Sequence, residues 1–179
     1  MNINNSLFND EGPIFMGAKR EKSEASRIGL YGVPYDGTTS FRPGTRFGPD
    51  SIREVSQGLE TYCPELNMDL TDINFVDFGS ARIPLITPES VIKKVKLCTH
   101  KLNSLGLKPL MIGGEHSITV GAISAVAEIY SDLIVIQLDA HADLRDEWLG
   151  SKFSHACTMK RCLEVLPSQT LFQIGIRSG

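Results

Sequence analysis

Residues 133–143 read Leu133-Ile134-Val135-Ile136-Gln137-Leu138-Asp139-Ala140-His141-Ala142-Asp143. The opening run Leu133-Ile134-Val135-Ile136 is apolar at every position, so an extended segment there has two apolar faces. Such a strand belongs in a parallel sheet sandwiched between helices. Directly behind it come Asp139, His141 and Asp143. Open parallel sheets bind ligands at the carboxyl ends of their strands, so this junction is where chemistry is expected.

The pattern repeats outward from this stretch. Ile28 to Val33 reads as a buried strand, Ile73 to Asp77 as a second, Lys108 to Ile112 as a third and Thr170 to Ile176 as a fifth. Helices alternate with them. Pro49 suits the first position of a short helix through Ile52 and Val55, because its missing N–H would be unpaired there. Thr87 before Pro88 opens a long helix, in which Val91, Ile92, Val95, Leu102 and Leu105 keep helical spacing until Gly106. Ile118 to Ile129 and Met159 to Val165 read as two more. The β-then-α order predicts an α/β fold, a three-layer α/β/α arrangement with a parallel sheet that stops after about the fifth strand. Residues 1–25 lack any period and read as an irregular arm; 26–179 read as the N-terminal part of a single α/β domain.

Composition narrows the function. The 179 residues carry a net charge of -3 and scattered Lys and Arg, which gives no basic face for nucleic acid. No run of about 18 apolar residues occurs and the N-terminus lacks the order of a signal peptide, so no membrane partner is expected and the chain is placed in the cytoplasm. The four cysteines show no C-x-x-C spacing and read as reduced thiols, Cys98 as a small buried hydrophobe.

The third strand runs into Gly113-Gly114-Glu115-His116-Ser117, so two strand ends together offer His116, Asp139, His141 and Asp143 as metal ligands. In an extended backbone Asp139, His141 and Asp143 point to one side and can converge. Imidazole and carboxylate donors without thiolate suit a hard or borderline divalent ion such as manganese. The competing structural reading has Asp139 capping a turn, His141 satisfied in the core and Asp143 paired with Arg145. A phosphate loop at Gly113-Gly114 is rejected, because Glu115 would repel the anion and no Walker or G-x-G-x-x-G pattern accompanies it.

Gly113-Gly114-Glu115-His116-Ser117-Ile118-Thr119, Leu138 to Leu144 and Phe153-Ser154-His155-Ala156-Cys157 resemble the ureohydrolase family of arginases, agmatinases and formimidoylglutamases. Gly32 to Asp36 and Gly44 to Arg53 agree, and the similarity spans about 26–179. The resemblance implies two manganese ions: His116, Asp139 and Asp143 would hold one, His141 the second, with Asp139 bridging. It also implies that a metal-bridging hydroxide attacks a guanidinium carbon and that His155 shuttles protons, a task suited to imidazole. Taken alone, His155 reads equally well as a surface or capping histidine. His100 sits in the long helix away from any strand end and is left out. Trp148 and Phe153 read as packing of the loop.

Residues 144–157 are similar to the agmatinases of that family, which cleave agmatine to putrescine and urea in polyamine biosynthesis. Asp146 and Glu147 are expected to repel the α-carboxylate of arginine while tolerating a decarboxylated amine. The second-half D-x-D of the family and its later glutamate are not in the sequence, so the second metal is expected to bind weakly and the last strand to be an open apolar edge. The alternatives are a noncatalytic remnant or subunit fragment that pairs through that edge, and a related ureohydrolase: arginase, guanidinobutyrase or formimidoylglutamase. A homo-oligomer is implied by the resemblance alone.

Overall fold

The structure, a computed structural model, describes residues 7–83 and 87–178. The first six residues of the expected arm, Pro84 to Ile86 and Gly179 lie outside the described residues. The strands are β1 (Phe8–Asn9), β2 (Ile28–Val33), β3 (Tyr62–Cys63), β4 (Met68–Asp69), β5 (Phe75–Ala81), β6 (Lys108–Gly113), β7 (Val135–Leu138) and β8 (Leu171–Ile174). The helices are α1 (Gly48–Ser56), α2 (Pro88–Ser104), α3 (Thr119–Ala127) and α4 (Thr158–Leu163). The fold is α/β with parallel strands and helices, as the alternation predicts.

Two glycines of β2 show how the layers form. Neighbouring side chains of a strand point to opposite faces. A Cβ on Gly29 would lie 2.7 Å from Leu102 of α2, and one on Gly32 would lie 2.8 Å from Pro49 of α1. The sheet therefore lies between α1 and α2, and β2 has no room for side chains at these two points. On the α2 face, Tyr31 and Val33 pack with Val76, Phe78, Val91, Val95, Cys98 and Leu102 in the main core. Tyr31 Oη shares a buried 2.7 Å hydrogen bond with Thr99 Oγ1, and burial pushes its phenol above the ordinary range. On the α1 face, Arg53 Nε lies 2.8 Å and Nη2 2.9 Å from the two oxygens of Asp77, with both side chains essentially removed from solvent.

The capping signals work as read. Thr87 Oγ1 accepts from Ser90 N and Ser90 Oγ accepts from Thr87 N, a reciprocal capping box that opens α2. Thr87 to Pro88 is thus a true helix start. All four cysteines are free, and burial pushes the thiols of Cys98 and Cys162 up to about 12. No helix among the described residues is long and apolar enough to cross a membrane.

The strands do not make one continuous ladder. β5, β2 and β6 pair in parallel, and β1 joins the outer edge of β5 antiparallel, so this sheet is mixed. β7 and β8 pair with each other in parallel as a separate ladder, and β3 with β4 makes a small hairpin. Helices were expected to cover both faces of the 133–136 segment. One face of the second ladder is instead open among the described residues: Ile136 pairs in register with Phe172 and Leu138 with Ile174, and all four side chains are exposed. Only Gln137 of β7 is buried.

Candidate metal centre

Each half of the centre begins at the end of a parallel strand. β6 leads into Gly113-Gly114-Glu115-His116, where a Cβ on Gly114 would lie 2.4 Å from Tyr35 O and 2.5 Å from Val33 O. Only glycine lets the chain pass this close to the end of β2. Glu115 N donates to Tyr35 O at 2.8 Å and fixes the crossing. The Glu115 carboxylate then accepts from Ser117 N at 3.1 Å as the cap of the 3-10 turn His116–Ile118. Glu115 is thereby committed to local structure, and His116 is aimed outward from the first position of that turn.

From the other side, β7 delivers Asp139. Its Oδ1 accepts from His141 N at 2.9 Å and its Oδ2 from Gln137 Nε2 at 3.2 Å. Burial opposes the Asp139 charge, but these hydrogen bonds and the field of His116 hold the carboxyl below its usual range. Asp143 has φ 50, and its carbonyl accepts from Met159 N at 3.0 Å and Lys160 N at 3.2 Å at the start of α4. A left-handed backbone, which Asp tolerates better than most residues, swings its carboxylate back toward His116.

The resulting geometry is compact. His116 Nδ1 lies 2.7 Å from Asp143 Oδ2 and 3.7 Å from Asp139 Oδ2. One ligand atom from each of His116, Asp139 and Asp143 falls within 4.8 Å of the others. Bonds of about 2.1 Å to a divalent ion would put neighbouring donors about 3 Å apart and opposite donors about 4 Å apart, so the three residues fit one ion with little movement. The donors are a nitrogen and carboxylate oxygens, the chemistry of a hard or borderline metal.

His141 stands apart from this group. Its Nδ1 is 3.7 Å from Asp139 Oδ1 and its side chain is 64% exposed. The simple alternation expected for 139–143 does not describe the backbone, since no strand continues past Leu138. Asp139 and Asp143 both face His116, while His141, in a single parallel bridge with Ser178, borders the same cavity from one side. Asp139 accepts locally from His141 N and faces the other ligands as well.

The cavity measures about 660 Å³ and is lined by His116, Asp139, His141 and Asp143 together with His155, Trp148 and Arg145. All five residues singled out in the sequence border it. His155 Nδ1 lies 2.7 Å from the Thr38 carbonyl oxygen. Trp148, read as packing, belongs to the wall, with the Arg145 guanidinium 4.3 Å from its ring centroid. Phe153 does pack, against the cluster of Ile92, Val120, Met159 and Cys162.

The electrostatic reading of Asp146 and Glu147 needs correction. Neither borders the cavity, and Asp146 Oδ1 pairs with Arg161 Nη2 at 2.6 Å, an interaction that holds its carboxyl below the usual range. The guanidinium that lines the cavity is that of Arg145. Repulsion of an α-carboxylate by Asp146 and Glu147 therefore gives no ground for preferring one guanidino substrate to another.

Sequence reasoning passed over Gln137 and Gln173. Gln137 Nε2 donates to Asp139 and to His141 O at 3.2 Å each, and Gln173 Nε2 donates to Gln137 Oε1 and, at 2.7 Å, to Ala142 O. A polar residue inside an apolar strand was the available signal. Amides placed behind the candidate ligands in this way orient the backbone and the Asp139 carboxylate.

Two parallel strand ends that direct a histidine and two aspartates into one cavity define the class. Residues 26–179 match the arginase family, and the chain belongs to that family. Agmatinase of Bacillus subtilis (strain 168) is 40% identical over 168 residues, covering 94% of this chain and 58% of its own length. Agmatinase of Bacillus anthracis is 38% identical over 156 residues, 87% of this chain and 54% of its own. The crystal structure of agmatine ureohydrolase of Thermoplasma volcanium superposes with a TM-score of 0.84 at 35% identity, over 93% of this chain and 55% of that one. The chain spans about half the length of the curated relatives it matches.

Proposed function

We propose that the protein is a manganese-dependent ureohydrolase that hydrolyses agmatine to putrescine and urea, a cytoplasmic step of polyamine supply. The observation that carries this reading is the convergence of His116, Asp139 and Asp143 within 4.8 Å at the floor of a cavity whose wall includes His155. The similarity to agmatinases supports agmatine as the guanidino substrate.

In this reading His116, Asp139 and Asp143 would hold one ion, and His141 with Asp139 would contribute to a second. Manganese, when bound, supplies the Lewis acidity that activates water at neutral pH. Gln137 fixes the orientation of the Asp139 carboxylate. The cavity has room for a flat guanidinium, and Trp148 with Arg145 shapes its wall. The amine must leave with a proton, and His155 is the wall residue able to hold one and pass it on.

The test is urea release from agmatine by the manganese-loaded chain, with arginine as comparison and His116→Ala as control. Agmatine-selective release that His116→Ala abolishes supports the reading. Manganese binding without urea from agmatine would overturn catalysis by this chain and leave a metal-binding member of the family without turnover. Faster release from arginine would reassign the substrate.

A further inference from the structure

His155 is held by a loop far away in sequence. Its backbone N–H donates to Thr38 Oγ1 at 3.0 Å, and its Nδ1 lies 2.7 Å from Thr38 O, a contact across 117 residues. A carbonyl oxygen can only accept, so in the neutral ring the proton sits on Nδ1. Ser154 Oγ, 3.3 Å away, addresses the same nitrogen. Among the described residues no hydrogen bond engages Nε2, and the ring borders the cavity.

Thr38 is itself fixed. Thr39 N and Oγ1 donate to Asp36 O at 3.5 and 3.0 Å, closing the turn around Thr38. The buried Asp36 carboxylate accepts from Gly44 N at 2.7 Å and pairs with Arg46 Nη2 at 2.7 Å, which spans the loop between β2 and α1. Glu115 N on Tyr35 O ties the base of this loop to the strand end that carries His116. One loop thus touches both the metal side and the proton-transfer side of the cavity.

We propose that Thr38 is a positioning residue: its carbonyl and hydroxyl hold His155 as the Nδ1–H tautomer, so that Nε2 carries the lone pair presented to the cavity. The use of that lone pair in proton transfer rests on the ureohydrolase reading; the tautomer does not. Second-sphere carbonyls set histidine tautomers in this way in many sites, because the bonded nitrogen must keep its proton.

The experiment is a long-range ¹H–¹⁵N correlation spectrum of the metal-free ¹⁵N-labelled chain, held at a pH where the rings are neutral. The chain has four histidines, and the His155 signals are identified by their loss in His155→Gln. The expected result is an Nδ1–H pattern for His155. Thr38→Val, which keeps the shape but removes the hydroxyl acceptor, should move His155 toward the Nε2–H-rich mixture of free imidazole, and Thr38→Ser should restore Nδ1–H.

An Nε2–H pattern in the unaltered chain overturns the proposal, as does a folded Thr38→Val chain that keeps Nδ1–H unchanged. Should Thr38→Val fail to fold, the unaltered chain and Thr38→Ser still decide the question, since both must show Nδ1–H. Urea release is scored separately. A chain silent toward agmatine with His155 as Nδ1–H sinks the catalytic reading and keeps the positioning one.

Discussion

His116 Nδ1 and Asp143 Oδ2 stand 2.7 Å apart across 27 residues of sequence. The first comes from the end of β6 and the second from the turn after β7, so the pair joins the two halves of the centre. Asp143→Asn keeps the size of the side chain and removes its negative charge. Calorimetric titration with manganese should show affinity weakened by at least about tenfold, since carboxylate ligands act through charge as well as reach. Undiminished affinity would mean that the ion is held elsewhere.

The Arg53–Asp77 pair predicts stability rather than function. Asp77 also accepts from Phe15 N at 2.9 Å and Gly79 N at 2.9 Å, and Arg53 donates to Gly79 O at 2.9 Å, so both charges are saturated. Removal of one partner from a buried pair strands the other charge at about 3–5 kcal/mol. Arg53→Met should lower the urea midpoint by a corresponding amount. Replacing both, Arg53→Met with Asp77→Asn, should recover part of the loss. A double variant no more stable than the single one would show that the remaining contacts of Asp77, not the stranded charge, set the cost.

Gly114→Ala tests how strictly the backbone positions the centre. A methyl group at 2.4 Å from Tyr35 O must displace either the end of β2 or the segment that carries His116. The thermal midpoint and manganese affinity should fall together, both measured on the same preparation. A melting loss with intact affinity would show that the strand end relaxes without moving His116.

Asp36 gives a prediction with a definite sign. The hydrogen bond from Arg46 and those from the Gly44 and Arg46 N–H groups hold its carboxyl below the usual range despite burial. A carboxyl with a depressed folded pKa contributes stability that is fully present above the unfolded value of about 4 and is lost as the pH falls through the folded value. The stability gap between the unaltered chain and Asp36→Asn, measured by urea unfolding, should therefore be widest near pH 7 and close on acidification toward pH 3. The exposed half of the pair, Arg46, makes the electrostatic share salt-dependent. A gap that widens in acid would contradict the assignment.

Hydrophobic pattern made most of the fold legible. β2 and the start of β6 fall where the apolar runs place them, and α2 begins at the Thr87 to Pro88 signal. β5 was misjudged, because it begins at Phe75 and continues to Ala81 through Asp77, Gly79 and Ser80. Polar residues end the apolar pattern at Asp77; in the fold Arg53 satisfies Asp77 and lets a carboxylate lie inside a buried strand. At the site, the strand-end motifs revealed His116, Asp139 and Asp143, but their convergence depends on the positive φ at Asp143, which no alternation rule contains. Thr38 was illegible for a different reason. Its importance lies in contacts to a residue 117 positions away, and nothing in Asp36-Gly37-Thr38-Thr39 distinguishes it from an ordinary turn.

Among the described residues the two parallel ladders share no backbone hydrogen bonds, yet the candidate ligands come from both: His116 from beyond β6, Asp139 and Asp143 from beyond β7. An ion seated there would act as a tie between the two ladders, beside the packing of Ile92 and Val120 on Met159 and Cys162 that already links them. Each ligand it recruits would then also be a brace between the segments that follow β6 and β7.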